Sequence, residues 1–360
     1  MMLRLAFYPL FRAIGRPKLL PFSLVISLTY RCNSRCSTCR VWERSAKEFS
    51  FEEWREFFLN LAPHTRLYYL TFSGGEPFLR DDIAQIVTEA ARILRPALIT
   101  IPTNGLLSRR IPSEVREMLD NMPAGTKLGI NLSLDGVGEE HDRIRNVPGN
   151  WEKAMETYWA LRAIRHPALI LSIHTVISRF NVGRIGEIAR ALIGLKPDSY
   201  ITEVAEEREE LHTIGLPITP SAQEYRQAIK EVMEAIKGAK FSGLPRLTQA
   251  FRHEYYFLTE RILRERRQVI PCYAGWASGH IAPDGDVWTC CTRAQPVGNL
   301  REYGYDLRPI WFGERVEEIR RSIKAGECYC PMANASYVNM LLNPPILLRA
   351  LLQFSLSPSS

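Results

Sequence analysis

The stretch LVISLTYRCNSRCSTC, residues 24–39, decides how the rest of the chain is read. Five of its first six residues are apolar or β-branched, the composition of a buried strand. The strand runs straight into Cys32, Cys36 and Cys39 at the spacing CxxxCxxC. Similar apolar runs recur at 67–72, 97–101, 128–134, 169–176 and 199–204, roughly 30 to 45 residues apart. Amphipathic stretches at 51–61, 82–94, 113–120, 150–165 and 184–194 fill the gaps, and Ser50 with Glu53 makes a capping box at the first of them. Alternation at this period predicts βα units and a parallel sheet. Six units are too few for a closed eight-stranded barrel. An open sheet or a partial barrel is expected, with its ligand at the carboxyl ends of the strands.

The 360 residues are 46% hydrophobic and 24% charged, enough apolar material for a large core. The formal charge of +7 comes from arginines scattered without a long run of like charge. It reads as a basic solvated surface, and no nucleic-acid-binding motif gives it another meaning. No apolar run reaches the length of a membrane span. The N-terminal segment, 1–21, mixes Leu and Phe with Arg4, Arg12, Arg16 and Lys18 and lacks the form of a signal peptide. A short amphipathic helix on the barrel and a weak peripheral anchor on a membrane surface both fit it.

The eight cysteines fall in two groups, three at 32–39 and five at 272–330. Two metal centres in a reducing cytoplasm fit this better than a disulfide net. Three thiolates can hold three irons of a cubane and leave the fourth to a small chelating molecule. A zinc site with a distant fourth ligand such as Cys272 is the competing reading. The second strand ends in Ser73-Gly74-Gly75-Glu76-Pro77, where two glycines allow close backbone approach and Glu76 can accept hydrogen bonds. The fourth ends in Ser133-Leu134-Asp135, and Ser133 and Asp135 share a face that can reach a ribose hydroxyl. Arg145 follows Ser133 by twelve residues and carries a planar fork suited to a carboxylate. Asn104, in Thr103-Asn104-Gly105, either touches the ribose or caps its turn.

The triplet together with the Gly-Gly-Glu-Pro run resembles the radical S-adenosylmethionine (SAM) superfamily. The resemblance covers about residues 25–205 and implies a partial (β/α)6 TIM-like barrel within the α/β class. It implies a 4Fe–4S cluster on Cys32, Cys36 and Cys39. It implies SAM held by Gly74, Gly75, Glu76, Asn104, Ser133, Asp135 and Arg145, with the methionine amino group at the Gly-Gly-Glu-Pro run and its carboxylate at Arg145. One departure is Thr38, where the family often has an aromatic residue near the adenine; Trp42 is the substitute considered, and Val176 could flank the same ring.

The later cysteines, with the turn Pro283-Asp284-Gly285-Asp286 and Gly298-Asn299-Leu300 between them, resemble the SPASM/Twitch auxiliary-cluster extension. Five cysteines are too few for two clusters, so the small C-terminal α+β extension is expected to hold one auxiliary 4Fe–4S cluster. Cys272, Cys290, Cys328 and Cys330 are its expected ligands. Cys290 and Cys291 point oppositely on a strand, and Cys290 is preferred. A four-cysteine zinc site is the alternative.

The expected layout is 1–21 as the basic segment, 22–215 as the barrel and 216–268 as a helical connector opened by Thr219-Pro220. The auxiliary domain follows at 269–335, with an apolar segment and loose tail at 336–360. The resemblance implies reductive cleavage of SAM to a 5′-deoxyadenosyl radical that abstracts hydrogen from a peptide or small metabolite. The outcome is expected to be oxidation or bond formation. Two alternatives are modification of a lipid or isoprenoid at a membrane surface and a non-catalytic iron–sulfur or zinc module. His174, Glu203 and Glu206 are candidate acids or bases without an assigned role. A low-potential donor of the flavodoxin or ferredoxin type is the expected redox partner. No nucleic acid is expected.

Overall fold

The structure, a computed structural model, describes residues 2–239, 241 and 243–356. Six strands pair in parallel in sequence order: β1 Ser23–Thr29, β2 Tyr69–Gly74, β3 Leu98–Thr103, β4 Lys127–Ser133, β5 Leu169–Ile177 and β6 Ser199–Val204. Each connection carries a helix, as a parallel crossover requires. The helix Phe51–Leu61 starts at the anticipated capping box, where Ser50 Oγ accepts from Glu53 N and Glu53 Oε2 accepts from Ser50 N. Its buried residues, Trp54, Phe57, Phe58 and Leu61, follow helical periodicity and face the sheet.

The two faces of the sheet divide the chemistry. Phe72, Ile101, Ile130, Leu132, Ile173 and Tyr200 are fully buried in the main core. Removing each such side chain from water contributes roughly 1.5–3 kcal/mol. The alternate positions, among them Thr71, Thr100, Asn131, Ser133, His174 and Glu203, line a cavity. Period-two alternation therefore puts apolar side chains under the helices and polar ones inside.

The C-terminal extension joins this sheet. β7 Ser278–Ile281 pairs in parallel with β1, and β8 Asp286–Trp288 and β9 Pro296–Asn299 continue antiparallel. The strand order is β6-β5-β4-β3-β2-β1-β7-β8-β9. Glu53 and Arg301 form an ion pair 2.6 Å apart that also ties the extension to the first crossover helix.

The connector holds two helices, Ala222–Lys237 and Gly243–Glu265. The first is capped by Ser221, whose Oγ accepts from Glu224 N at 3.2 Å, and not by the anticipated Thr219-Pro220 pair. The reciprocal bond from Ser221 N to Glu224 places the start two residues later than the proline suggested. The second helix and Ala333–Leu341 close the cavity on the side away from the sheet.

The N-terminal helix Phe7–Ile14 buries Tyr8 and Phe11, and Arg12 Nε donates to Cys272 O at 3.0 Å. Phe7, Leu10 and Ile14 on the same helix stay exposed. No described helix is long and apolar enough to cross a membrane. The tail expected to be loose, 355–360, is helical as far as Leu356; 357–360 lie outside the described residues.

Candidate active site

The carboxyl ends of β2 to β6 open into a cavity of about 520 Å³, and Cys32, Cys36 and Cys39 sit in its wall. The cysteine loop is irregular and is held by backbone contacts. Ser37 N donates to Ile144 O at 2.9 Å and Arg35 N to Arg145 O at 3.3 Å. Ser34 N approaches Cys32 Sγ at 3.4 Å and Val41 N approaches Cys39 Sγ at 3.5 Å. All eight cysteines are free thiols, and no other described cysteine lines the cavity. Burial pushes the Cys32 thiol up to about 11 and Cys39 further. Bare thiolates are therefore disfavoured here, and a bound cation is what would stabilise them.

Gly74 and Gly75 fit closely against the chain entering this loop. A Cβ on Gly74 would lie 2.1 Å from Thr29 O, and one on Gly75 would lie 2.2 Å from Arg31 O. Gly74 also has φ +125°, a region L side chains avoid. Gly75 N donates to Thr29 O at 2.7 Å and Glu76 N to Arg31 O at 2.9 Å. The sequence explained the glycine pair by close approach to a ligand; the close approach seen is to the cysteine loop's own backbone. The Glu76 carboxylate is buried and accepts from Phe78 N, Thr103 Oγ1 and Asn104 N at 3.2, 2.9 and 2.8 Å. Burial raises its pKa to about 7. It thus clamps the end of β3 to the end of β2. Asn104 caps its own turn, with Oδ1 accepting from Leu106 N at 2.9 Å, while Nδ2 donates to Asn33 Oδ1 at 2.7 Å and lies 3.9 Å from Cys32 Sγ.

Ser133, Asp135 and Arg145 all line the cavity. Asp135 Oδ2 lies 2.9 Å from Arg145 Nε, and Oδ1 accepts from Val176 N at 2.8 Å. Both carboxylate oxygens are therefore engaged by the chain itself, where the sequence had offered them to a ribose. Arg145 Nη1 is 3.7 Å from Cys36 Sγ, which places the guanidinium beside the cysteine triplet. Its Nε, though close to Asp135, lacks hydrogen-bond alignment.

The wall farther along is charged. His174 Nε2 is 3.5 Å from Glu203 Oε1, Arg208 Nη2 is 3.9 Å from Glu203 Oε2, and Arg208 Nε donates to Glu206 Oε1 at 3.0 Å. His174 Nε2 and Glu206 Oε2 are buried without a hydrogen-bond partner. Arg208 lies on a stretch after β6 to which the sequence analysis gave no role beyond naming Glu206. Glu209 N donates to Thr292 O at 3.1 Å, and Arg40 N donates to Leu211 O at 2.9 Å. This bridge segment therefore spans from the cysteine loop to the second cysteine group. Its signal in the sequence was the run Glu206-Glu207-Arg208-Glu209-Glu210 directly after a strand. Trp42, considered for the adenine, lies outside the cavity wall with Arg35 stacked on it, 4.5 Å from the ring centroid.

In the extension, Cys290 lies in the field of Cys272 and Cys328, and Cys330 in that of Cys272 and Cys290. Burial, reinforced by these neighbours, pushes Cys290 up to about 12. Cys291 faces another way, with Sγ 3.0 Å from Met332 Sδ and with Glu210 and Arg208 as charged neighbours. Four thiols in one electrostatic neighbourhood suit an iron–sulfur cluster, and three thiols on an open cavity suit a cluster with one free corner.

Residues 26–192 match the Radical SAM superfamily, and 272–331 match SPASM, an iron-sulfur cluster-binding domain. A PqqA peptide cyclase of Xanthomonas euvesicatoria pv. vesicatoria (strain 85-10) is 29% identical over 309 residues, 81% of this chain and 74% of the relative. Streptococcus suis SuiB bound to S-adenosylmethionine has a similar fold, with TM-score 0.61 and 18% identity over 84% of this chain and 68% of that one. Native anSMEcpe with bound AdoMet aligns at TM-score 0.63 and 14% identity over 93% of this chain and 98% of that one.

Proposed function

Because the chain belongs to the radical SAM superfamily and carries a SPASM-type auxiliary domain, we propose that it is a peptide-modifying radical enzyme acting on a side chain placed in the cavity. It uses SAM, the 4Fe–4S cluster that binds it, and an auxiliary 4Fe–4S cluster. Cys32, Cys36 and Cys39 would hold the first cluster, and Cys272, Cys290, Cys328 and Cys330 the second. When bound, these groups supply an electron, a sulfonium to be cleaved and a primary-carbon radical that abstracts hydrogen.

The chain's own part is positioning. Arg145, set by Asp135, presents a guanidinium to a carboxylate beside the cysteine triplet. Ser133 offers a hydroxyl from the same wall, and the backbone at 74–76 offers carbonyls. The helices Gly243–Glu265 and Ala333–Leu341 supply the wall of the cavity opposite the sheet. Glu206 lines the cavity within the field of Cys330, and its Oε2 is buried without a hydrogen-bond partner, so it would take a proton from substrate.

The observation carrying this reading is that one cavity has the cysteine triplet in one wall and the bridge segment, which reaches the second cysteine group, in another. The relatives' names support a peptide: one is a PqqA peptide cyclase, and SuiB has been seen bound to its precursor peptide SuiA. The outcome we infer is oxidation or a new bond within the peptide, with a low-potential flavodoxin- or ferredoxin-type protein supplying electrons. The test is anaerobic turnover of cluster-loaded protein with SAM, a reductant and candidate peptides. Formation of 5′-deoxyadenosine with a peptide lighter by two hydrogens supports the reading. Deoxyadenosine with every peptide unchanged in mass counts against the peptide.

A further inference from the structure

Beside the bridge segment, outside the cavity lining, side chains from separate parts of the chain come together. Glu210 comes from the bridge, His280 from β7, Cys291 from the turn after β8, and Met332 from just before the helix Ala333–Leu341. The ligand atoms of Glu210, His280 and Cys291 all lie within 4.8 Å of one another, and all three residues are buried. Met332 Sδ is 3.0 Å from Cys291 Sγ. None of the three lines the cavity, and none belongs to the two cysteine sets already assigned.

Hydrogen bonding accounts for only part of this cluster. Ser27 Oγ is 2.9 Å from His280 Nε2 and donates to Glu210 Oε1 at 3.2 Å, which satisfies an imidazole and a carboxylate. The Cys291 thiol donates to the Met332 thioether, a weak acceptor, at 3.0 Å. His280 Nδ1 is buried without a hydrogen-bond partner. A thiolate, an imidazole and a carboxylate are the three side-chain classes that bind zinc. Ligand atoms about a tetrahedral ion lie roughly 3.3–3.8 Å apart, within reach of the spread seen.

We propose that Glu210, His280 and Cys291 form a third metal centre, of the zinc class, with three side-chain ligands. Binding releases the Cys291 thiol proton to solvent, and the thiolate and the Glu210 carboxylate balance the dication. The centre carries no redox chemistry, since zinc has one stable oxidation state in proteins. Its place gives its role. Glu210 belongs to the barrel side and the other donors to the extension, so the ion fastens the partition between the two iron sites. Cys291, beside an auxiliary-cluster ligand yet pointing away from that cluster, then has a function of its own.

The test is metal analysis of protein carrying its iron clusters, dialysed against zinc and desalted, followed by zinc X-ray absorption on the wild type. The expected result is one zinc per chain over unchanged iron, in a shell mixing sulfur with nitrogen and oxygen. The Cys291→Ser and Glu210→Gln variants should lose the zinc and keep the iron. Zinc absent from the wild type, zinc in an all-sulfur shell, or zinc retained by both variants would each overturn the proposal. The wild-type absorption result decides the matter even where a variant fails to fold. It is also independent of whether a peptide is the substrate.

Discussion

Arg145 Nε lies 2.9 Å from Asp135 Oδ2, and this ion pair is almost wholly enclosed. Val176 N donates to the acid end at Asp135 Oδ1, and the Asn181 side-chain amide donates to the Asp135 main-chain carbonyl, both at 2.8 Å. On the proposed reading, Asp135 is a positioning residue and Arg145 the group that would meet the SAM carboxylate. Arg145→Lys keeps the charge and loses the planar fork, so SAM should bind at least about tenfold more weakly, about 1.4 kcal/mol. Asp135→Asn should weaken SAM binding through Arg145 and leave iron content unchanged. Calorimetric titration with SAM checks both; unchanged affinity in Arg145→Lys would remove Arg145 from the binding site.

His141 makes the same region pH-sensitive. Its Nδ1 accepts from Asp135 N at 3.1 Å, and its Nε2 lies 3.1 Å from Asn150 Oδ1, so the neutral ring donates from Nε2. Burial, and then Arg145, lower its pKa from 6.5 to about 4. The unfolded chain therefore takes up this proton near pH 6.5 and the folded chain only near pH 4. Stability is complete above that window and declines by about 3 kcal/mol as pH falls through it. His141→Gln should flatten the part of the pH dependence lying between pH 6.5 and 4. Urea midpoints of both proteins across that range measure it; identical slopes would rule the effect out.

Gly75→Ala should damage the first iron site without touching a ligand. The added Cβ meets Arg31 O at 2.2 Å, so the loop carrying Cys32 must move or β2 must separate from β1. Overpacking of this kind costs about 1–3 kcal/mol. The expected readout is iron reduced at the N-terminal site with the auxiliary site still filled. Full iron loading in a variant as stable as wild type would contradict the fit described.

The two adjacent cysteines should separate cleanly. Cys290→Ala is expected to lose the auxiliary cluster, about four irons per chain, whereas Cys291→Ala should keep it. Iron analysis with electron paramagnetic resonance of the reduced protein distinguishes them, and the reverse pattern would reassign the ligand.

Much of the barrel is legible in the sequence because parallel strands buried beneath helices are apolar runs, and their crossovers are amphipathic at a regular interval. Ser50 and Glu53 mark a helix start for the same local reason. What escapes is set by distant partners. The pairing of Ser23 with Ser278 spans most of the chain, so nothing near β1 announces that β7 will extend its sheet. Glu76, Asn104 and Asp135 line the cavity, yet their neighbours decide whether a carboxylate or amide faces a ligand or braces the wall. Nothing in the charged run 206–210 announces the partners that lay it between the two groups of cysteines. Trp42 looked available to an adenine only because its arginine partner is invisible in the sequence.

The proposed chemistry requires three thiolates holding a cluster whose remaining iron is free for SAM. The most direct measurement is electron–nuclear double resonance on the reduced protein mixed with SAM labelled with nitrogen-15 at its amino group and oxygen-17 at its carboxylate. Coupling of both labels to the N-terminal cluster, lost in a Cys36→Ala variant, is the result predicted. A fully loaded cluster that shows no coupling to either label, or zinc in place of iron at Cys32, Cys36 and Cys39, would contradict it.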